Sequence, residues 1–173
     1  MLLPEAIKLI DNKEIRNDDI THWADLGCGA GLFTKALAAI IKTGSTITAI
    51  DKNSNSLKNL GGTYNGISIE TQAGDFTTIQ FPVLLDGVLL ANALHYVSNK
   101  QSFITHLKAQ LKKGGHIIIV EYDTANANPW VPYPINFINL KMLFQTEGFT
   151  EIELIGRKPS IYGAEMYAVI IKN

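Results

Sequence analysis

Short runs of consecutive apolar residues alternate along this chain with stretches whose apolar positions recur every three or four residues. Runs of the first kind read as strands buried on both faces, and stretches of the second kind as amphipathic helices. Strands are predicted on this basis at 20–26, 46–50, 67–71, 83–90, 116–121, 149–155 and 166–171. Helices are predicted at 2–10, 32–41, 54–60, 100–111 and 136–147. Gly44, Gly61-Gly62 and Gly148 stand where helices should stop, and Lys112-Lys113-Gly114-Gly115 reads as a turn into the fifth strand. The stretch 122–134 (YDTANANPWVPYP) holds three prolines and reads as loop. Strands separated by helices imply a parallel sheet with right-handed crossovers, covered on both faces. Only about ten residues join the last two predicted strands, too few for a parallel crossover, so the final strand is expected to run antiparallel. The expected fold class is α/β, with a mostly parallel seven-stranded sheet and an antiparallel last strand.

Composition narrows the class without changing the pattern. At 173 residues the chain fits one domain, 1–173, with 1–19 as an N-terminal helical segment and 20–173 as the core. Apolar residues make up 46% and charged residues 18%, against about 25% charged in ordinary proteins, which excludes disorder and a coiled coil. The net charge of −1 supplies no basic footprint, so a nucleic-acid partner is not expected. Cys28 is the single cysteine; it excludes an internal disulfide framework and suggests a reducing compartment, hence a cytoplasmic protein. The N-terminus lacks a basic leader followed by an apolar core, and the apolar run at 83–90 is interrupted by Asp86 and too short for a membrane span. His22, His95, His106 and His116 show no metal-ligand spacing, and no metal is expected.

Candidate chemistry begins where the first strand ends, at Asp25-Leu26-Gly27-Cys28-Gly29-Ala30-Gly31. Glycines between a strand and a helix permit a tight turn and close backbone approach to a ligand beyond the carboxyl ends of the strands. Leu32 departs from the dinucleotide fingerprint, and the glycine-rich triphosphate loop ending in Gly-Lys-Ser/Thr is absent. Asp25 decides the matter. A carboxylate at the lip of the loop would repel a pyrophosphate by roughly 4 kcal/mol for unit charges 4 Å apart near a surface, and would attract an ammonium or sulfonium group. Asp51 ends the second strand about 20 residues past the loop, where a carboxylate can accept from a ribose diol. Asp75, in Gly74-Asp75-Phe76, follows the third strand and can accept from an exocyclic amine beside an aromatic face. The three carboxylates thus fall at the carboxyl ends of consecutive strands.

With DLGCGAG (25–31), AID (49–51), AGDF (73–76), LLDGVLLANALHYV (84–97) and LKKGGHIIIVEY (111–122), the chain resembles the class I S-adenosylmethionine-dependent methyltransferases from about residue 20 onward. The resemblance implies a Rossmann-like methyltransferase fold, S-adenosyl-L-methionine as cofactor and S-adenosyl-L-homocysteine as product. It implies Asp25 near the methionyl amine, Gly27 and Gly29 along the methionine and ribose, Asp51 on the ribose hydroxyls, Asp75 on the adenine amine and Phe76 beside the base. Asn92 and Leu94 would lie near the sulfonium, and Cys28, Gly31 and Lys52 would complete the cofactor site. Cys28 admits two readings, a nucleophilic thiol at a helix start or a small residue fitted to the loop, and the second is favoured.

Methyl transfer from a sulfonium needs alignment more than proton chemistry, so no catalytic triad is required. His95, where the fourth strand meets the cleft, is the candidate base. Tyr96, Glu121, Trp130 and Tyr133 are candidate substrate residues, with Tyr122 and Tyr162 further aromatic candidates on the same side. The expected partner is a small-molecule methyl acceptor, with no nucleic acid and no membrane; the oligomeric state is left open, a homodimer among the options. The alternative is an S-adenosylmethionine-binding regulatory or partner protein that transfers nothing. A nicotinamide-dependent oxidoreductase is disfavoured by Leu32 and Asp25.

Overall fold

The computed structural model describes residues 1–160 and 164–173. In chain order the elements are α1 (Leu3–Ile10), β1 (His22–Leu26), α2 (Leu32–Ala38), β2 (Thr46–Asp51), α3 (Ser54–Leu57), β3 (Gly62–Tyr64) and β4 (Ile67–Ala73), followed by β5 (Leu85–Ala91), a single 3₁₀ turn (Leu94–Tyr96), α4 (Lys100–Lys108), β6 (Leu111–Tyr122), α5 (Phe137–Thr146), β7 (Glu151–Lys158) and β8 (Met166–Lys172). They build one eight-stranded sheet in the order β3-β4-β2-β1-β5-β6-β8-β7. The pairs β1–β2, β1–β5, β2–β4 and β5–β6 are parallel, and β8 runs antiparallel to both β6 and β7. The expected antiparallel last strand is there, wedged between its two neighbours.

Alternation along the strands divides the core in two, because successive side chains leave a strand on opposite faces. On one face Leu26, Val88, Leu90, Ile117, Ile119, Val169 and Ile171 pack with Ile104 and Leu107 of α4 and Leu140 and Phe144 of α5. On the other, Trp23, Ile47, Leu89, Ile118, Val120 and Ile170 pack with Ala6 and Leu9 of α1 and Ala36 and Leu37 of α2. Asparagine side chains start α3, α4 and α5: Asn53, Asn99 and Asn136 accept from the backbone N–H of Asn55, Ser102 and Asn139. Glu5 of α1 pairs with Lys158 of β7 at 2.7 Å, joining the N-terminal helix to an outer strand.

Three departures from the sequence pattern have physical causes. Gly61-Gly62, read as a helix stop, opens β3, an eighth strand that pairs antiparallel with β4 through Gly62–Tyr64. Three residues with two of them exposed leave no apolar periodicity to read. The helix expected at 54–60 is accordingly one turn long. Lys112 to Gly115, read as a turn, is the irregular start of β6, where pairing with β5 shifts register between Leu85 and Gly87.

Phe144 carries much of the α5 contact, fully buried and edge-to-face with Phe149 at 5.3 Å between ring centroids. Phe144→Ala is expected to lower stability by about 3–5 kcal/mol, read from urea unfolding. A loss below about 1 kcal/mol would mean that α5 is not part of the cooperative core.

Candidate active site

The loop from Gly27 to Gly31 is tied to the sheet through its backbone: the N–H groups of Gly27 and Cys28 both donate to the carbonyl of Ile50, at 2.8 and 3.0 Å. Gly31 begins α2 with φ of +82°, and a Cβ there would run into the Leu60 side chain. Gly29 differs. Its φ is +52°, and a Cβ built on it would find nothing within 4 Å, so this part of the loop presents bare backbone to open space. The Gly29 N–H donates to Asp51 Oδ2 at 2.8 Å, while Asp51 Oδ1 accepts from the Asn53 N–H at 2.8 Å. Asp51, at the end of β2, therefore fixes the loop that follows β1.

Asp25 lies beneath this loop, 1% exposed. Its Oδ2 accepts from the Thr34 hydroxyl of α2 at 2.6 Å, and its Oδ1, also buried, has no hydrogen-bond partner among the described residues. Burial pushes the carboxyl up to about 7, against the Thr34 hydrogen bond and with help from the Asp51 charge. Thr34 is the functional partner that the sequence reading missed; a threonine one turn into the helix after the loop is the only signal it leaves. Burial, with the charges of Asp25 and Asp51, drives the Cys28 thiol far above its usual range, so Cys28 is a loop-filling residue and no nucleophile.

The third carboxylate is more exposed. Asp75 Oδ1 accepts from both the backbone N–H and the hydroxyl of Thr77, at 2.9 and 2.7 Å, and Oδ2 faces Lys52 Nζ at 3.1 Å. The Thr77 bonds, with Lys52, hold this carboxyl below the usual carboxylate range. Phe76 is buried, edge-to-face with Phe103 at 5.7 Å, and its ring lies against Gly27 as floor beneath the loop. Asn92 follows β5 with φ of +53°, a left-handed conformation that costs a non-glycine residue free energy. Its N–H donates to the Val120 carbonyl and its Oδ1 is buried without a partner among the described residues. The Leu94 side chain is wholly buried in the core with Phe103 and Ile104, so what it offers the cleft is backbone.

Beyond Asn92 opens a cavity of about 960 Å³ whose lining includes His95, Tyr96, Tyr122, Trp130 and Val131. His95 is 2% exposed and Glu121 1%. Both Glu121 oxygens turn to His95: Oε1 accepts the His95 backbone N–H at 3.1 Å, and Oε2 lies 2.7 Å from Nδ1. Glu121, expected to face the cleft, thus stands behind the imidazole instead. Trp130 is 80% exposed at the cavity wall, held by a turn in which Asn128 Oδ1 accepts from the N–H groups of Trp130 and Val131. Tyr133 does not line the cavity; its N–H donates to the His95 carbonyl, and Lys100 donates to its carbonyl at 2.7 Å. Tyr162 lies outside the described residues. A second cavity of about 200 Å³, bounded by Trp23, Asp86, Lys112 and His116, sits at the opposite, amino ends of the strands. Among the described residues no three His, Cys, Asp or Glu side chains gather as metal ligands do, and no helix is long and apolar enough to cross a membrane.

A family model described as a methyltransferase domain matches residues 24–119. The ubiquinone biosynthesis O-methyltransferase of Rickettsia felis is 33% identical over 98 residues, which are 55% of this chain and 38% of that protein. The match therefore spans little more than a third of that relative's length. Among solved structures, the N-methyltransferase NodS of Bradyrhizobium japonicum WM9 superposes with a TM-score of 0.71 at 18% identity, covering 99% of this chain and 93% of NodS. The 1,6-didemethyltoxoflavin-N1-methyltransferase of Burkholderia thailandensis gives 0.68 at 17% identity, covering 89% and 71%. At such identities these two likenesses establish the fold.

The Asp25 carboxyl gives a sign for pH dependence. It takes up its proton near 7 in the folded chain, against 3.8 for a solvated aspartate. Between those values the folded chain binds the extra proton, so stability without ligand falls as pH rises through that window. Asp25→Asn is expected to raise the unliganded Tm by about 4 °C or more at pH 8 and to change it little at about pH 4, where the unfolded chain also begins to bind the proton, by calorimetry. The same shift at both pH values would contradict the buried, proton-binding state.

Proposed function

Because this chain belongs to the methyltransferase domain family, whose model spans residues 24–119, we propose that it transfers a methyl group from S-adenosyl-L-methionine to a small-molecule acceptor. One observation carries the reading: a buried carboxylate oxygen of Asp25 without a partner among the described residues, beneath a glycine loop whose Gly29 backbone faces open space. A dinucleotide would bring phosphates to that oxygen; S-adenosyl-L-methionine brings an ammonium and a sulfonium. The donor set therefore fits this cofactor, which when bound supplies a methyl group made electrophilic by its positive sulfur.

The chain's own residues bind and orient. Asp25 holds the ammonium through Oδ1 while Thr34 keeps Oδ2 in place. Asp51 offers its remaining lone pairs to the ribose diol and keeps Gly29 close to the ligand. Gly29 gives backbone approach, Gly27 and Gly31 let the loop pack against Ala93, Phe76 and Leu60, and Cys28 fills the loop without side-chain bulk. Asp75, beside Lys52, would receive the adenine end and could accept from its exocyclic amine. Asn92, with the backbone at Leu94, stands between this groove and the cavity at His95 that receives the acceptor. That cavity, beside the groove and of ordinary ligand-site size, favours transfer over a protein that binds the cofactor without using it.

Asp51→Ala is expected to weaken binding of S-adenosyl-L-homocysteine by about tenfold to a few hundredfold in calorimetry, since hydrogen bonds to a charged group are lost. Unchanged affinity would remove Asp51 from the cofactor site. Incubating the protein with methyl-labelled S-adenosyl-L-methionine and a metabolite extract separates the two readings: a labelled product supports transfer, and tight binding without product supports the binding-only alternative.

A further inference from the structure

We propose that the methyl acceptor is an uncharged, flat molecule bearing a hydroxyl group, and that Glu121 positions His95 to take that hydroxyl's proton. The inference rests on the methyl-transfer reading above and adds the chemistry of the second substrate.

The cavity wall sets the charge and shape of its occupant. Three aromatic side chains line it, Tyr96, Tyr122 and Trp130, and its other polar contributors include the neutral Asn92, Thr124 and Asn128. No lysine, arginine, aspartate or glutamate lines it among the described residues, and 161–163 are Ile-Tyr-Gly, which adds none. A carboxylate, phosphate or ammonium entering there would leave water without a counter-charge, which is costly. Aromatic walls favour a planar ligand, and about 960 Å³ leaves room for one or two rings.

The hydroxyl follows from the histidine. Glu121 spends both oxygens on His95, one on the backbone N–H and one on Nδ1. An acceptor at Nδ1 fixes the ring proton on that nitrogen and leaves the lone pair on Nε2, which has no hydrogen-bond partner among the described residues in a ring that lines the cavity. A hydroxyl is a poor nucleophile until its proton is removed, and Nε2 is placed to remove it. The balance closes. The hydroxyl proton passes to Nε2, the oxygen lone pair forms the new bond to the methyl carbon, and the carbon–sulfur bond breaks with its pair going to sulfur. The positive charge that leaves sulfur reappears on the imidazolium beside the Glu121 carboxylate, and the proton then goes to water. Glu121 itself touches no substrate. It is a positioning residue that selects the tautomer and faces the charge, the role a carboxylate plays behind a histidine base elsewhere.

The test has two arms, both on the whole chain saturated with S-adenosyl-L-homocysteine. Calorimetric titration with catechol, 3,4-dihydroxybenzoate and dopamine varies charge on one ring. Catechol is expected to bind at least tenfold more tightly than either charged probe; equal or tighter binding of the anion or the cation overturns the proposal. Failure of S-adenosyl-L-homocysteine itself to bind would instead overturn the methyl-transfer reading. In the second arm, ¹⁵N NMR of the imidazole is expected to show His95 protonated at Nδ1 in the wild type, and a preference for the proton on Nε2 overturns the positioning role. Glu121→Gln is expected to lose that tautomer preference and to lower kcat for catechol by about 10²-fold or more, with KM and S-adenosyl-L-homocysteine affinity within about twofold. Unaltered kcat in Glu121→Gln also overturns the role. The wild-type tautomer decides the point even if that variant fails to fold.

Discussion

Burying the Asp25 carboxyl carries a cost that no group within the described chain removes. One oxygen has the Thr34 hydroxyl, the other has no partner among the described residues, and the Asp51 charge adds to the difficulty. A group in that position is relieved either by a proton or by a bound cation. The surrounding parts follow from this constraint. β1 delivers the carboxylate to the floor of the cleft, α2 supplies the hydroxyl that holds one of its oxygens, and the glycine loop between them leaves bare backbone at Gly29. The unliganded protein therefore carries a native-state penalty that either form of relief would remove.

The same economy governs the other end of the cleft. Glu121 is buried as deeply as Asp25, yet its oxygens are both occupied, and by a single residue. One carboxylate keeps an oxygen without a partner among the described residues and the other is closed around a side chain, so two equally buried groups differ in what they still require. The strained backbone at Asn92 lies between them.

How much of this could be read from the residues alone depends on which interactions are local. β1, β2 and β5 are legible because a strand buried on both faces needs consecutive apolar residues, and Asp25, Asp51 and Asp75 are legible because the carboxyl ends of such strands are where a cleft must form. β3 is not legible, since Gly62–Tyr64 is largely exposed and owes its conformation to pairing with β4. Nor is the contact between His95 and Glu121, which are 26 residues apart and meet because β5 and β6 lie side by side. Nor is the direction of Leu94, a residue next to the cleft in sequence whose side chain turns into the core within the 3₁₀ turn.

The position of β8 has a consequence for how the chain assembles. β8 follows β7 in the chain yet lies inside the sheet, paired to β6 on one side and β7 on the other. During vectorial synthesis the apolar run Ile117–Val120 of β6 emerges well before the strand that covers its edge. Until Met166–Lys172 has left the ribosome, that edge is an open template for pairing with another nascent chain, and β7 has no sheet to join. Crowded synthesis and slow translation of the C-terminal segment are thus the circumstances in which this protein is most exposed to aggregation, whatever the stability of its finished fold.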